Sequence, residues 1–138
     1  MRTEKPDSVL MDIAVVIPVH NIAPYVRQCL DSLLAQVYPH WVAYVVDDGS
    51  TDGSGQILDG YAAKDPRFRV FHKPNGGVGS ARNFGLRKVE QDLKAFAAVT
   101  FLDGDDWLAP DAYSVLLPKM LSEKADILFF WVQKCVSG

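Results

Sequence analysis

The stretch Ile13-Ala-Val-Val-Ile-Pro-Val19, followed by His20-Asn-Ile-Ala-Pro24, decides the fold. Its apolar and mostly β-branched residues predict a strand that is buried on both faces, as in a parallel sheet. A helix is predicted over residues 24–37, because apolar side chains recur there at helical spacing and proline suits a first helical turn. A buried strand followed by a helix is the repeating unit of α/β proteins.

The same alternation continues along the chain. Further strands are predicted over residues 41–46, 68–72, 95–102 and 127–132, and further helices over residues 54–64, 80–88 and 110–122. The continuous apolar run at 95–102 predicts a central strand. We therefore expect an α/β fold, a Rossmann-like α/β/α sandwich with a mostly parallel sheet.

Length and composition favour one soluble domain. The chain has 138 residues, 49% of them hydrophobic and 22% charged, which is typical of globular proteins. We expect residues 10–138 to form the domain and residues 1–9 to be a flexible N-terminus. The net charge of −3 argues against a nucleic-acid partner.

No apolar run approaches the roughly 20 residues of a membrane span, so no transmembrane segment is predicted. Cys29 and Cys135 lack the spacing of a zinc site. They are expected to be reduced, buried thiols of a cytoplasmic protein.

Polar segments follow three of the predicted strands: Pro18-Val-His-Asn21, Asp47-Asp-Gly-Ser50 and Asp103-Gly-Asp-Asp106. The carboxyl ends of parallel strands meet at one edge of a sheet, so we expect all three segments to face one crevice. Their five carboxylates would repel one another without a positive charge. A hard divalent cation, Mg²⁺ or Mn²⁺, takes oxygen ligands and bridges to phosphate.

Asp103 and Asp105 are the predicted metal ligands. Residues two apart in an extended segment point the same way, so both carboxylates can reach one cation. Gly104 between them lets a substrate approach the backbone closely. The alternative is a solvated turn with a helix cap.

Asp48 can accept a hydrogen bond from the imide N–H of uracil, a donor that cytosine lacks. The alternative is a cap on the following helix, and Asp47 is the more structural of the two. The segment Gly76-Gly-Val-Gly-Ser-Ala-Arg-Asn83 matches neither a dinucleotide fingerprint nor a P-loop. Arg82 can meet a phosphate or hold the aspartates in place, and a purely structural salt bridge is the alternative.

Four motifs carry a family resemblance: Ile17-Pro-Val-His-Asn21, Asp47-Asp-Gly-Ser-Thr-Asp-Gly-Ser54, Asn75-Gly-Gly-Val-Gly-Ser-Ala-Arg-Asn83 and Phe101-Leu-Asp-Gly-Asp-Asp-Trp-Leu108. In this order, over residues 11–132, the sequence resembles glycosyltransferase family 2, which has the GT-A fold. The resemblance implies inverting transfer of a sugar from a nucleotide-diphosphate sugar, with uridine favoured by Asp48, to a saccharide or lipid-linked acceptor. It also implies surface polysaccharide synthesis in bacteria, at the cytoplasmic face of the cell membrane.

The resemblance assigns roles by motif position. Asp105 would hold the metal together with Asp103, and Asp106 would support them. Arg82 would lie beside the donor phosphates, and Asp103 would face the ribose or the sugar. The residues implied to bind the nucleotide sugar are Pro18, Val19, Asn21, Asp48, Gly77, Arg82, Asp103 and Gly104.

One departure from the family pattern concerns catalysis. The family's catalytic base is an acidic residue downstream of the aspartate cluster, and no acidic residue follows Asp126 here. We therefore expect the base beyond residue 138 and interpret the chain as truncated. Residues 10–138 would then be the nucleotide-sugar-binding half, with poor transfer by itself.

Two other function classes remain as alternatives. A non-catalytic nucleotide-binding module would keep the same fold and pocket. A phosphotransferase of the haloacid dehalogenase type would use Leu102-Asp-Gly-Asp105, although that motif normally ends the first strand of its fold. A dinucleotide oxidoreductase is disfavoured, because the first strand does not end in glycines.

Overall fold

A computed structural model describes residues 12–92 and 96–122. The strands are β1 (Ile13–Val19), β2 (Trp41–Asp48), β3 (Phe68–Lys73) and β4 (Ala98–Phe101). The helices are α1 (Ala23–Leu34), α2 (Ser54–Lys64), α3 (Val78–Gln91) and α4 (Ala112–Ser122). The four described strands form one sheet in the order β3-β2-β1-β4.

All pairings in this sheet are parallel. Strand β1 pairs with β2 from Ile13 opposite Trp41 onward, and β2 pairs with β3 until Asp48 lies opposite Lys73. Strand β4 pairs with the first four residues of β1. The carboxyl ends of β1, β2 and β4 therefore lie at the same edge of the sheet, as predicted.

Every residue of β1 is buried, which confirms the prediction from its apolar sequence. Side chains at alternate positions of β1 pack into two clusters, one on each face of the sheet. One cluster includes apolar residues of α1, α2 and α4, and the other includes Val89 of α3. A Cβ on Gly85 of α3 would lie 2.6 Å from Val16 Cγ1, so the absent side chain lets α3 pack closely. The described residues thus form an α/β/α sandwich.

Helix α1 ends at Leu34, three residues before its predicted end at Val37. The reason lies in a distant segment, because Val37 N–H donates to the carbonyl O of Pro110 at 2.8 Å. Nearby, Gln36 Nε2 donates to the carbonyl O of Ala109 at 2.7 Å. Helical periodicity alone does not reveal a stop that depends on a tertiary contact.

Strand β4 is shorter than the predicted 95–102, because the chain turns soon after Phe101 and Asp106 N–H donates to the Asp103 carbonyl at 2.9 Å. A central strand was predicted here, whereas β4 lies at one end of the four described strands. Helix α3 begins two residues before the predicted 80–88 and extends to Gln91. Helix α4 begins at Ala112, after the predicted Pro110.

Some predictions concern residues outside the described ranges, namely the flexible segment 1–9 and the strand over 127–132. Within residues 12–92 and 96–122, no helix combines the length and the apolar character that crossing a bilayer requires.

Candidate functional site

A cavity of about 310 Å³ opens where the carboxyl ends of β1, β2 and β4 meet. Its walls come from the last residues of β1 and β2, from the segments after β1, β3 and β4, and from the start of α3. The lining residues are Pro18, Val19, His20, Ile22, Asp48, Asn75, Gly77, Val78, Ala81, Asp103, Gly104 and Asp105. Three of the acidic residues singled out in the sequence are therefore brought to one cavity.

Gly104 connects the β1 and β4 ends of the cavity. Its N–H donates to the carbonyl O of Pro18 at 3.2 Å. A Cβ at this position would lie 2.5 Å from Ile22 Cδ1 and 3.0 Å from the Pro18 carbonyl O. Close packing is therefore a reason for glycine at this position, besides the predicted approach of a substrate.

Asp48 is buried and all of its carboxylate acceptor positions are used. Oδ1 accepts from Lys73 Nζ at 2.8 Å and from Gly76 N–H at 2.9 Å. Oδ2 accepts from Gly77 N–H at 2.9 Å and from Asn75 Nδ2 at 3.1 Å. Burial alone would raise the pKa of Asp48, but these donors together lower it. Asp48 therefore anchors the loop that precedes α3, rather than capping α2.

Asp47 takes no part in the lining of the cavity, which corrects the expectation of five converging carboxylates. Its Oδ1 accepts from Ser50 N–H at 3.0 Å, and its Oδ2 lies 2.7 Å from His72 Nδ1. The other ring nitrogen of His72 lies 2.8 Å from Asp59 Oδ1. Hydrogen bonds to Asp47 and then to Asp59 raise the pKa of His72. Asp47 is thus the structural member of the pair, as the sequence analysis expected.

Asn21 also lies outside the cavity lining. Its backbone is left-handed, with φ of 50°. Its side-chain Oδ1 accepts from Thr51 N–H at 2.7 Å, and its own N–H donates to Ser50 Oγ at 3.0 Å. Asn21 therefore joins the β1–α1 segment to the β2–α2 segment. Its assigned contact with the nucleotide stays a prediction.

The same two segments cap helix α1, which has no side-chain cap from its own N-cap residue. Ile22 N–H donates to Ser54 Oγ at 3.1 Å, and Ala23 N–H donates to Asp52 Oδ2 at 3.0 Å. The other oxygen of Asp52 accepts from Ser54 N–H at the start of α2. One loop thus satisfies amide groups of two helices, which would otherwise lack partners.

The acidic turn after β4 is the candidate metal site. Asp103, Asp105 and Asp106 each offer a carboxylate oxygen, and these oxygens lie within 4.8 Å of one another. Three oxygen ligands at this spacing fit a hard divalent cation such as Mg²⁺ or Mn²⁺. Burial, followed by the charges of these three aspartates, raises the pKa of the Cys29 thiol beneath the turn. The turn is therefore a region of concentrated negative charge.

Arg82 of α3 is directed at this turn. Its Nη2 donates to Asp103 Oδ1 at 2.8 Å, and both side chains are partly exposed. Of the two roles considered for Arg82, this contact corresponds to holding the aspartates. Gly77, the residue before α3, has a positive φ of 99°. It lines the cavity together with Val78 and Ala81.

Several lining residues were not singled out from the sequence, notably Asn75, Ile22, Val78 and Ala81. Lys73, which lies behind the cavity wall, was missed as well. One signal could have found it, because Asp48 and Lys73 are direct partners in the parallel register of β2 and β3. That register becomes readable only when the strand ends are known to within one residue.

Comparisons with known proteins identify the family of the chain. The model of the family "Glycosyl transferase family 2" matches residues 14–138. Glycosyltransferase GlyA of Streptococcus pneumoniae is 39% identical over 115 residues, which are 83% of this chain and 16% of that protein. The uncharacterized glycosyltransferase EpsJ of Bacillus subtilis is 34% identical over 84% of this chain and 32% of that protein. The chain thus spans less than a third of either relative.

Solved structures show the same fold. TarS 1–349 of S. aureus in complex with UDP superposes with a TM-score of 0.72 and 27% identity, over 84% of this chain and 34% of that one. A mannosyltransferase of Pyrobaculum calidifontis, solved with GDP-Man and Mn²⁺, superposes with a TM-score of 0.64 and 24% identity. The match covers 78% of this chain and 31% of the mannosyltransferase chain. The second likeness is one of fold alone. By its sequence motifs, its parallel sheet and its match to the family model, the chain belongs to glycosyltransferase family 2.

Proposed function

We propose that this chain is the donor-binding part of an inverting glycosyltransferase, which binds a UDP-sugar together with Mn²⁺ or Mg²⁺. The observation that carries the proposal is the cavity itself. It joins a wall of small and apolar residues to an acidic turn that can hold a cation, in a member of glycosyltransferase family 2. Family membership disfavours the phosphotransferase alternative.

The nucleoside is placed at the β1 and β2 end of the cavity. Pro18 and Val19 offer apolar surface there, and Asp48 and Gly77 complete the wall. Uridine is supported by the TarS structure that was solved with UDP. Asp48 contributes to this end of the cavity through the loop that it anchors, because its own acceptor positions are already used. Asn21 belongs to the same end through the loop that it holds.

The diphosphate and the cation are placed at the β4 end. Asp105 and Asp103 would hold Mn²⁺ or Mg²⁺, with Asp106 in support, because their oxygens lie within reach of one ion. When bound, such a cation stabilises the negative charge that develops on a departing nucleoside diphosphate. Arg82 keeps Asp103 in place, and its guanidinium lies beside the expected position of the phosphates.

The proposal also concerns the catalytic base and the residues that bind the acceptor. Among the carboxylates that line the cavity, Asp48 anchors a loop and Asp103 and Asp105 are assigned to the metal. As the family resemblance implies, we propose that the catalytic base lies beyond residue 138, together with the residues that choose a saccharide or lipid-linked acceptor. Synthesis of a cell-envelope polysaccharide at the cytoplasmic face of the membrane is the setting that the family resemblance suggests.

The test is calorimetric titration of UDP into this chain with and without Mn²⁺. We expect Mn²⁺ to tighten UDP binding at least about tenfold, which corresponds to roughly 1.4 kcal/mol. Asp105→Ala should abolish the effect of the metal. Glu90→Ala, which removes an exposed carboxylate on α3, should leave it intact. Equal UDP affinity of the three proteins, with and without Mn²⁺, would refute the assignment of the site.

A further inference from the structure

Behind the cavity wall, the buried Lys73–Asp48 ion pair supports the loop that forms the wall. We infer that Lys73 is a positioning residue of the donor site. Its ammonium group fixes the Asp48 carboxylate, and Asp48 in turn holds residues 75–77 at the nucleoside end of the cavity. The inference rests on the proposed function, because it concerns binding of the same nucleotide.

The ion pair is largely shielded from water. Lys73 Nζ lies 2.8 Å from Asp48 Oδ1, and the two side chains are 13% and 3% exposed. The ammonium also donates to the carbonyl O of Pro74 at 2.7 Å, so it joins the end of β3 to the start of the loop. A buried carboxylate requires such a partner, because an unpaired charge in the interior is strongly unfavourable.

Asp48 connects Lys73 to the loop through hydrogen bonds. Its carboxylate accepts from the N–H groups of Gly76 and Gly77 and from the side chain of Asn75. Asn75 and Gly77 line the cavity, whereas Lys73 is absent from the lining. Lys73 therefore acts through Asp48 and the loop, without contacting the nucleotide.

The loop passes close to its neighbours on two sides. A Cβ on Gly76 would lie 2.9 Å from Ser80 Oγ and 3.0 Å from Lys73 Nζ, so the loop backbone passes close to the ammonium group. On the other side, a Cβ on Gly49 would lie 2.6 Å from Asn75 N. The loop thus lies between the β2 turn and the lysine, and loss of the lysine removes the contact on one side as well as the ionic partner of Asp48.

Two effects of removing Lys73 can be separated by the charge of the ligand. A displaced loop weakens every ligand that contacts the nucleoside end, so uridine and UDP should lose affinity by the same factor. An uncompensated negative charge at Asp48 would instead weaken UDP, which is an anion, and leave neutral uridine unchanged. The comparison of the two ligands therefore tests positioning directly.

The experiment compares the wild-type chain with Lys73→Met, Lys73→Arg and the control Lys64→Met, which removes an exposed lysine at the end of α2. UDP binding is measured by calorimetry with Mn²⁺, and uridine binding by NMR titration. We expect Lys73→Met to raise both dissociation constants about tenfold, as for loss of one charge-assisted hydrogen bond. Lys73→Arg should recover most of the affinity, and Lys64→Met should match the wild type.

Amide hydrogen exchange gives a second readout. Exchange at Gly76 and Gly77 should accelerate in Lys73→Met and stay unchanged in Lys64→Met. If Lys73→Met fails to fold, Lys73→Gln, which keeps a side-chain donor, takes its place in the same comparison.

The outcomes distinguish this inference from the proposed function. Failure of the wild-type chain to bind UDP would overturn both. Normal UDP binding by wild type and by Lys73→Met alike, or weaker binding of UDP with unchanged binding of uridine, would overturn the positioning role alone.

Discussion

Two strand ends of this protein carry adjacent aspartates, and the two sets differ in burial and in their hydrogen-bond partners. At the end of β2, Asp47 and Asp48 are buried and engaged by histidine, lysine and backbone amides. At the end of β4, Asp103 and Asp106 are partly exposed and Asp105 is exposed. The comparison teaches that an acidic motif indicates a cation site where its carboxylates stay close together and accessible to solvent.

The positions of the strands explain the difference. Strand β2 has a neighbour on each side, and the end of β3 brings His72 and Lys73 next to it. Among the described strands, β4 pairs with β1 alone, and the end of β1 offers backbone rather than charged side chains. Negative charge is therefore neutralised within the fold at β2 and concentrated at β4.

The largest effect should come from removing a carboxylate at the β2 end. Asp48→Ala removes the acceptor of the Gly76 and Gly77 N–H groups and the ionic partner of Lys73, whose ammonium keeps only its hydrogen bond to the Pro74 carbonyl O among those described. We expect the free energy of unfolding to fall by about 3–5 kcal/mol, as when one partner of a buried pair is removed. Urea denaturation measures this change, and a loss below about 1 kcal/mol would show that the pair contributes little to the fold.

A smaller effect is expected where the β4 turn meets β1. Gly104→Ala places a methyl group against Ile22 and the Pro18 carbonyl, and overpacking of this kind costs about 1–3 kcal/mol. The same denaturation experiment tests this expectation. Gly60→Ala is the control, since a Cβ there meets nothing within 4 Å. Equal stability of Gly104→Ala and Gly60→Ala would contradict the close packing of the turn.

The pH dependence of stability should report on the β2 end. The pKa of His72 is raised in the folded protein, so its protonated form is stabilised by folding. This contribution is complete below the unfolded pKa of about 6.5 and is lost as the pH rises through the folded value. The side chain is half-exposed, so we expect roughly 0.2–1 kcal/mol. His72→Gln should remove this part of the pH profile, and an unchanged profile would be evidence against it.

The smallest effect on stability should come from the β4 end. Asp105→Asn changes an exposed side chain, so the free energy of unfolding should stay within about 0.5 kcal/mol of the wild type. Thermal denaturation compares the two proteins. A strongly destabilised Asp105→Asn would mean that this aspartate, like Asp48, serves the fold, and the contrast between the strand ends would disappear.

Much of the fold could be predicted from local patterns. The apolar run of β1 predicted its burial, and the periodicity over 54–64 predicted α2 with its observed bounds. The end of α1 could not be predicted, because a hydrogen bond between Val37 and Pro110 sets it. Contacts between segments far apart in sequence leave no periodic trace.

The candidate site divides in the same way. Motif positions after the strands predicted that Asp48, Asp103 and Asp105 would share one cavity, and they do. The partners of each aspartate could not be predicted, because they depend on strand register and on loop geometry. Asp47 illustrates this. It is adjacent to Asp48 in the sequence, yet its side chain contacts His72 and does not line the cavity.

The first turn of α1 is capped by side chains from the segment around the start of α2, and this has a consequence for how the chain folds. Ile22 and Ala23, at the start of this helix, find their hydrogen-bond acceptors about thirty residues further on, in Ser54 and Asp52. During synthesis, the first turn of α1 therefore stays incomplete until the segment after β2 has left the ribosome. The two βα units should then open and close together, as one cooperative block rather than as independent modules.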